Sequence, residues 1–235
     1  MTSLPRADAY ARHSTACRTC LRLFAGLIAL VVLSGCTVKG TATWPGARLN
    51  AGLLTAADFP RGVQFDKIVE PPGGEGSGDG PPAMISEPAG CSDGLTRVIA
   101  ASAERGPGSA AKYSVAYDGA RIVMTVLTST LDLDQLDATA TRCARYETFF
   151  DRSSPAIPVT TTKLPPPRPG ALTYRQTLRL QGRDSSVYLA FENVGDSAMF
   201  GMAFPTPNPD IPAKGSLPQT FLDVIAKQAD RLRRG

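Results

Sequence analysis

The sequence predicts an α+β fold. The expected architecture is an antiparallel sheet, made of one hairpin plus a three-stranded meander, with helices packed mainly on one face and one disulfide. Three observations carry this. Asp118-Gly119 separates two alternating runs, "KYSVAYD" and "RIVMTVLTS", which is a strong two-residue hairpin signal. Three further strand-like runs, 172–180, 186–193 and 197–204, follow one another closely. Helical spacing of apolar residues appears in separate segments, with no regular strand–helix–strand alternation to suggest a parallel sheet.

The chain begins with the three parts of a secretory signal. Arg6, Arg12, Arg18 and Arg22 stand against a single acid, Asp8, within residues 1–22; Leu23 to Leu33 are almost wholly apolar; Ser34 and Gly35 are small. The apolar run is shorter than the roughly 20 residues a membrane-spanning helix needs. Cys36 completes a Leu-Ser-Gly-Cys pattern that resembles the lipobox of bacterial lipoproteins. The expectation is a signal peptide over 1–35, cleavage before Cys36, acylation of its thiol, and a polar tether over 36–50. A single α+β domain would occupy 51–235. Multiple acyl chains anchor stably where one would be marginal. The formal net charge of +4 belongs mostly to this leader, so the remaining body is near neutral and unsuited to electrostatic nucleic-acid binding.

The domain elements read in order. "LNAGLLTAADFP" (49–60) predicts a short helix stopped by Pro60. "GVQFDKIVE" (62–70) predicts a strand, and "PPGGEGSGDGPP" (71–82) a flexible loop. That loop has no G-x-G-x-x-G and no flanking strand and helix, so a nucleotide site is not expected. A helix is expected from Ser92 to Ala103, then the hairpin. A long helix is expected from about Asp132 to Phe150, with Asp132 capping it and Gln135 placed as in a capping box. Leu133, Leu136, Ala140, Cys143 and Glu147 or Phe150 recur on its inward stripe. "IPVTTTKL" (157–164) predicts a strand and "PPPRPG" (165–170) a stiff loop. The meander follows. In "LTYRQTLRL" the residues Thr173, Arg175, Thr177 and Arg179 share one face, which suggests a sheet face partly open to water. "QTFLDVIAKQADRLRR" closes the chain as an amphipathic helix.

Five cysteines are present. Cys17 and Cys20 lie in the leader, and Cys36 is assigned to lipid. Cys91 and Cys143 remain. Outside the membrane, in an oxidising space, such an even pair is expected to join as a disulfide. The chain's one histidine is His13, in the leader. A mature protein without histidine has no Ser-His-Asp or Cys-His catalysis and no histidine-ligated metal. No cofactor or metal is therefore expected, and the domain is read as non-enzymatic.

Several constellations have plain structural readings. Gly195-Asp196-Ser197 fits a turn, since Ser197 has no histidine to take its proton. Asp132, Asp134 and Asp137 suit a helix start better than a calcium loop, which would need its glycine and distal glutamate. Lys227, Arg231, Arg233 and Arg234 suit a helix C-terminus, with anionic headgroups as an alternative partner. Tyr113, Tyr117, Tyr174, Arg175 and Tyr188 are the candidate ligand-binding residues, with sheet packing as the competing reading. An envelope hydrolase or transferase would require paired carboxylates, for which Asp66, Glu192 and Asp196 are candidates.

Taken together, the lipobox, "LLTAADFPRGVQFDKI" (53–68), "GCSDGLTRVIA" (90–100) and "ATRCARYETFF" (140–150) are similar to a family of mycobacterial and related actinobacterial envelope lipoproteins. These resemble the extracellular sensor domain of the PknH-type serine/threonine kinases. The resemblance implies an α+β domain, a helix-linking disulfide at Cys91 and Cys143, and a cleft for a ligand. The chain departs from the kinase sensors in having two mature cysteines where they have a second pair, and in lacking a kinase domain and a spanning helix. The expected role is a module on the outer face of the cell membrane that binds a lipid, a glycan fragment or another envelope protein.

Overall fold

The structure is a computed structural model that describes residues 46–69, 84–103, 106–206 and 217–234. Cys36, the leader, most of the tether and the 71–82 loop lie outside the described residues. Among the described residues, nine strands form one antiparallel sheet. They are β1 (Gln64–Ile68), β2 (Ile85–Glu87), β3 (Ala110–Tyr117), β4 (Ala120–Leu127), β5 (Arg145–Phe149), β6 (Ile157–Lys163), β7 (Leu172–Leu180), β8 (Arg183–Val194) and β9 (Ser197–Pro205). Their order across the sheet is β1-β3-β4-β9-β8-β7-β6-β5-β2. Four helices accompany them: α1 (Ala47–Gly52), α2 (Gly94–Ser102), α3 (Leu133–Arg142) and α4 (Gln219–Arg234). None is long and apolar enough to cross a membrane.

The sheet is larger than a hairpin plus a separate meander. β4 pairs with β9 from Ala120↔Pro205 to Leu127↔Ala198 and so fuses the two. The reason is burial. Ile122, Met124 and Val126 on one side of β4 and Leu127 on the other are all buried, so this strand cannot be an edge. The hairpin turn itself is as expected: Asp118 and Gly119 both have positive φ, +51° and +74°, the conformation a tight two-residue turn between twisted strands requires. The β7–β8 turn at Gln181-Gly182 repeats it, with φ +51° and +76°.

Helices lie on both faces, which corrects the expectation of helices mainly on one. On the first face α1 and α4 pack Leu49, Leu53, Phe221, Val224 and Ile225 against Tyr113, Val115, Ile122, Met124, Ala190 and Ala203. On the second, α2 and α3 pack Val98, Leu136 and Ala140 against Tyr174, Leu189, Phe191 and Ala198. β8 explains this: Leu189, Ala190, Phe191 and Glu192 are consecutive and all buried, so neither side of that strand can face water. Part of the first face stays open. Thr160, Thr162, Arg175 and Arg179 are exposed there on β6 and β7, and α1 and α4 do not reach them.

α3 ends at Arg142, not at Phe150. Asp132 caps it, its Oδ1 accepting from the Gln135 backbone N–H at 2.8 Å. After Cys143 the pattern switches from helical to alternating: Tyr146 and Thr148 are buried, while Arg145 and Glu147 are exposed. Aromatic and β-branched residues suit this strand, and β6 supplies its partner. The expected helical stripe continues to Glu147 or Phe150, and both of these are exposed. α1 begins at Ala47 and buries Leu49, so the end of the segment read as tether is folded into the domain. The 49–60 helix is correspondingly shorter, followed by a 3-10 turn at Ala56–Asp58.

Cys91 and Cys143 are bonded, with Cα atoms 5.4 Å apart. The bond ties the loop before α2 to the residue that closes α3, and it packs with Tyr146 and Val159.

Candidate functional site

A pocket of about 420 Å³ opens where the segment after α1 meets α4 and the end of β3. Its lining includes Asp58, Phe59, Tyr117, Thr220, Asp223 and Lys227. The local sequence builds one wall. Thr55 and Asp58 cap the 3-10 turn reciprocally: the Asp58 carboxylate accepts from the Thr55 backbone N–H at 2.8 Å and from its hydroxyl at 2.9 Å. The Thr55 backbone bond leads in holding the Asp58 carboxyl below the usual carboxylate range. Burial opposes it as the next-largest influence, and the Thr55 hydroxyl and the charges of Arg231 and Lys227 lower it further. Asp58 is thus a fixed anion at the rim.

The next residue, Phe59, is the centre of an aromatic cluster. Its ring lies 6.1 Å from Tyr117 and 6.4 Å from Tyr113, both edge-on, and 6.0 Å from Phe65. Phe65 and Tyr113 stack at 5.3 Å. From α4, Lys227 Nζ sits 5.8 Å above the Phe59 ring and donates to the Asp58 carbonyl. Thr220, also in the lining, donates its hydroxyl to Asp118 at the β3–β4 turn.

Behind this wall the Tyr113 side chain is fully buried, and its hydroxyl has no hydrogen-bond partner. Burial pushes its phenol well above the ordinary tyrosine range, and the Asp58 charge adds to the effect. A buried hydroxyl without a partner is costly, and Tyr113 lies behind the Phe59 ring and outside the pocket lining.

The candidate residues of the sequence separate into three places. Tyr113 and Tyr117 meet around Phe59. Arg175 lies opposite Tyr188 across β7 and β8, Arg175 exposed and Tyr188 buried in the core. Tyr174 is on the other face, its hydroxyl 2.6 Å from Asp137 Oδ1, and burial followed by the Asp137 bond raises its phenol. The sequence did not point to Phe59 or Asp58 as site residues, and it raised Lys227 only as an alternative headgroup contact at a helix end. The one available signal was the "DFP" after an apolar helix, since an aromatic between a turn acid and a proline has no helical or strand neighbour to cover it.

The candidate carboxylates are not gathered. Asp66 faces the second side of the sheet and is exposed, whereas Glu192 faces the first side and is buried. Asp196 is in the β8–β9 turn. Glu192 is occupied by cations: Oε1 is 3.3 Å from Arg168 Nε and 2.6 Å from Arg233 Nη2. Asp137 binds Lys163 at 2.7 Å besides Tyr174. Among the described residues no group of three His, Cys, Asp or Glu side chains could hold a metal ion.

A second cleft, of about 520 Å³, runs between α2 and α3 and is lined by Gly94, Arg97, Ala101, Gln135, Thr139 and Arg142. Its arginines are engaged with their own surroundings. Arg97 binds Asp93 at 2.8 Å and the Gly90 carbonyl at 2.9 Å, and Arg142 approaches the Ala89 carbonyl at 3.4 Å. Among the described residues it has no aromatic side chain in its lining and no buried unpartnered side-chain group.

No protein-family model and no curated protein matches the chain. One solved structure is similar in part: a putative uncharacterized protein of Mycobacterium smegmatis, the Rv0999 ortholog, at 14% sequence identity. The match covers 75% of this chain and 92% of that one, with a TM-score of 0.44.

Proposed function

We propose that the chain is a lipid-anchored, non-enzymatic binding module on the outer face of the cell membrane, with the Phe59–Tyr117 pocket as its binding site. The observation that carries this reading is the ordered leader: basic residues, an apolar run from Leu23 to Leu33, then Ser34, Gly35 and Cys36. The buried Cys91–Cys143 bond supports it, because such bonds persist in oxidising compartments. The similarity of 53–68, 90–100 and 140–150 to PknH-type sensor domains is in keeping with a ligand-binding role. A body near neutral charge, moored by acyl chains at Cys36, would present the pocket to envelope components and not to nucleic acid.

The test is Cys36→Ala in an actinobacterial host. The parent chain should incorporate a labelled fatty acid and fractionate with membranes. The variant should lose the label, retain its leader and leave the mature anchored form. Undiminished labelling and membrane retention in the variant would refute the anchor.

A further inference from the structure

We infer that the pocket beside Phe59 is a sugar subsite, which takes one neutral ring of a glycan packed against the Tyr117 ring, beside the Lys227-covered Phe59, and held at its rim by Asp58, Asp223 and Lys227. This deepens the proposed function and rests on its reading of the domain as a binding module.

The chemistry of the wall and the rim selects the class. A sugar ring presents apolar C–H faces and an edge of hydroxyls that both donate and accept. It needs an aromatic platform beside fixed acceptors and donors. Phe59 and Tyr117 are half-buried, so each offers an accessible ring surface held by its neighbours. Asp58 and Asp223 are acceptors, and Lys227 is a donor. Asp58 is already oriented by Thr55, and Asp223 by the Gln219 side-chain amide at 2.7 Å. These rim groups stand in place before a ligand arrives, which lowers the entropic cost of binding.

Other classes fit less well. A phosphate or carboxylate would meet Asp58 and Asp223, with Asp118 close behind at Thr220. An organic cation would be repelled by the Lys227 ammonium, which already lies over the Phe59 face, whereas a neutral ring against Tyr117 would not. An acyl chain needs a dry apolar channel, and this pocket carries two carboxylates, an ammonium and the hydroxyls of Thr220 and Tyr117. Its volume of about 420 Å³ lies within the range of small-molecule sites.

The experiment uses the full chain, purified in detergent micelles with its disulfide intact. Glucose, galactose, arabinose, N-acetylglucosamine and their disaccharides are titrated calorimetrically. Saturable binding of at least one is expected, weakened about tenfold or more by Tyr117→Ala and by Lys227→Met. Arg142→Ala, in the cleft between α2 and α3, should leave it unchanged. Lys227→Met keeps the alkyl stem against Phe59 at an exposed position, so it decides the matter if Tyr117→Ala does not fold. Failure of every sugar to saturate at millimolar concentration would overturn the inference, as would binding unchanged in folded Lys227→Met. No sugar binding with Cys36 acylation intact sinks the subsite and leaves the anchor. Sugar binding together with membrane retention that survives Cys36→Ala sinks the anchor and leaves the subsite.

Discussion

Gln228 is a fully buried polar side chain in α4, and its removal is the most informative single perturbation of the fold. Its Oε1 accepts from the Leu54 backbone N–H at 3.0 Å, and its Nε2 donates to the Gly52 carbonyl at 2.8 Å. These are backbone groups at and just past the end of α1, where helices leave carbonyls without intrahelical partners. Gln228→Leu keeps the volume roughly constant and orphans both. Each buried unsatisfied group costs about 1–3 kcal/mol, and the added apolar burial returns about 1–2 kcal/mol. The net loss is roughly 1–4 kcal/mol, which for a domain of this size lowers Tm by about 3–12 °C. Urea denaturation followed by circular dichroism measures the first, and thermal unfolding the second. Hydrogen exchange adds a local readout, because the Leu54 amide should lose its protection before the sheet does. A Gln228→Leu variant within about 0.5 kcal/mol of the parent would refute the view that this side chain fastens α1 to α4.

Two further outcomes follow from the covalent and ionic ties. Cys91→Ser with Cys143→Ser opens a link between residues 52 positions apart, and the chain-entropy model puts the loss at roughly 4 kcal/mol; a shift in urea stability below about 1 kcal/mol would contradict it. Asp137→Asn tests acid sensitivity. The Lys163 bond, then the Tyr174 bond, holds the Asp137 carboxyl below its usual range, so the folded state binds fewer protons than the unfolded state. Its contribution is present above the unfolded carboxylate value of about 3.9 and is lost as pH falls through the lower folded value. The stability gap between parent and variant should therefore close as pH is lowered from about 5 to below 3. Salt should narrow the gap at neutral pH, since the pair is half-exposed. A gap that is constant across that range would show that the ionised form has no part in it.

What was legible in the sequence was local. Asp118-Gly119, the runs of the meander and the helical spacing of the last segment each depend on neighbours within a few residues, and each reappears in the structure. The misreading of α3 was also local in origin. Cys143 satisfies a helical stripe, but Tyr146 and Thr148 satisfy a strand, and only the pairing with β6 decides between them. β2 was too short to be read, because three residues carry no period. The division of helices between two faces was hidden because it depends on which strands become neighbours. The pocket was hidden for the same reason. Tyr117 was singled out, yet Lys227 reaches the Asp58 carbonyl across a separation of 169 residues, and no local pattern predicts that contact.

The position of Lys227 follows from how α4 is held. Phe221 and Ile225 seat the helix on the sheet, where Gly201 allows close approach: a Cβ there would come within 2.6 Å of Ile225 Cδ1. Gln228 ties the middle of the helix to the end of α1. Arg233 binds Glu192 near the C-terminal end of the helix, and Arg168 bridges Glu192 to Asp230. With apolar contacts, a buried amide and an ionic clamp on successive turns, α4 has little freedom to slide or roll. Lys227 and Asp223 project from this fixed helix, while Phe59 projects from a turn that Asp58 caps. The pocket is therefore set by the same contacts that stabilise the domain, and a ligand would find its rim already arranged. By that logic Gln228→Leu, which loosens α1 from α4, should weaken ligand binding as well as stability, although Gln228 does not line the pocket.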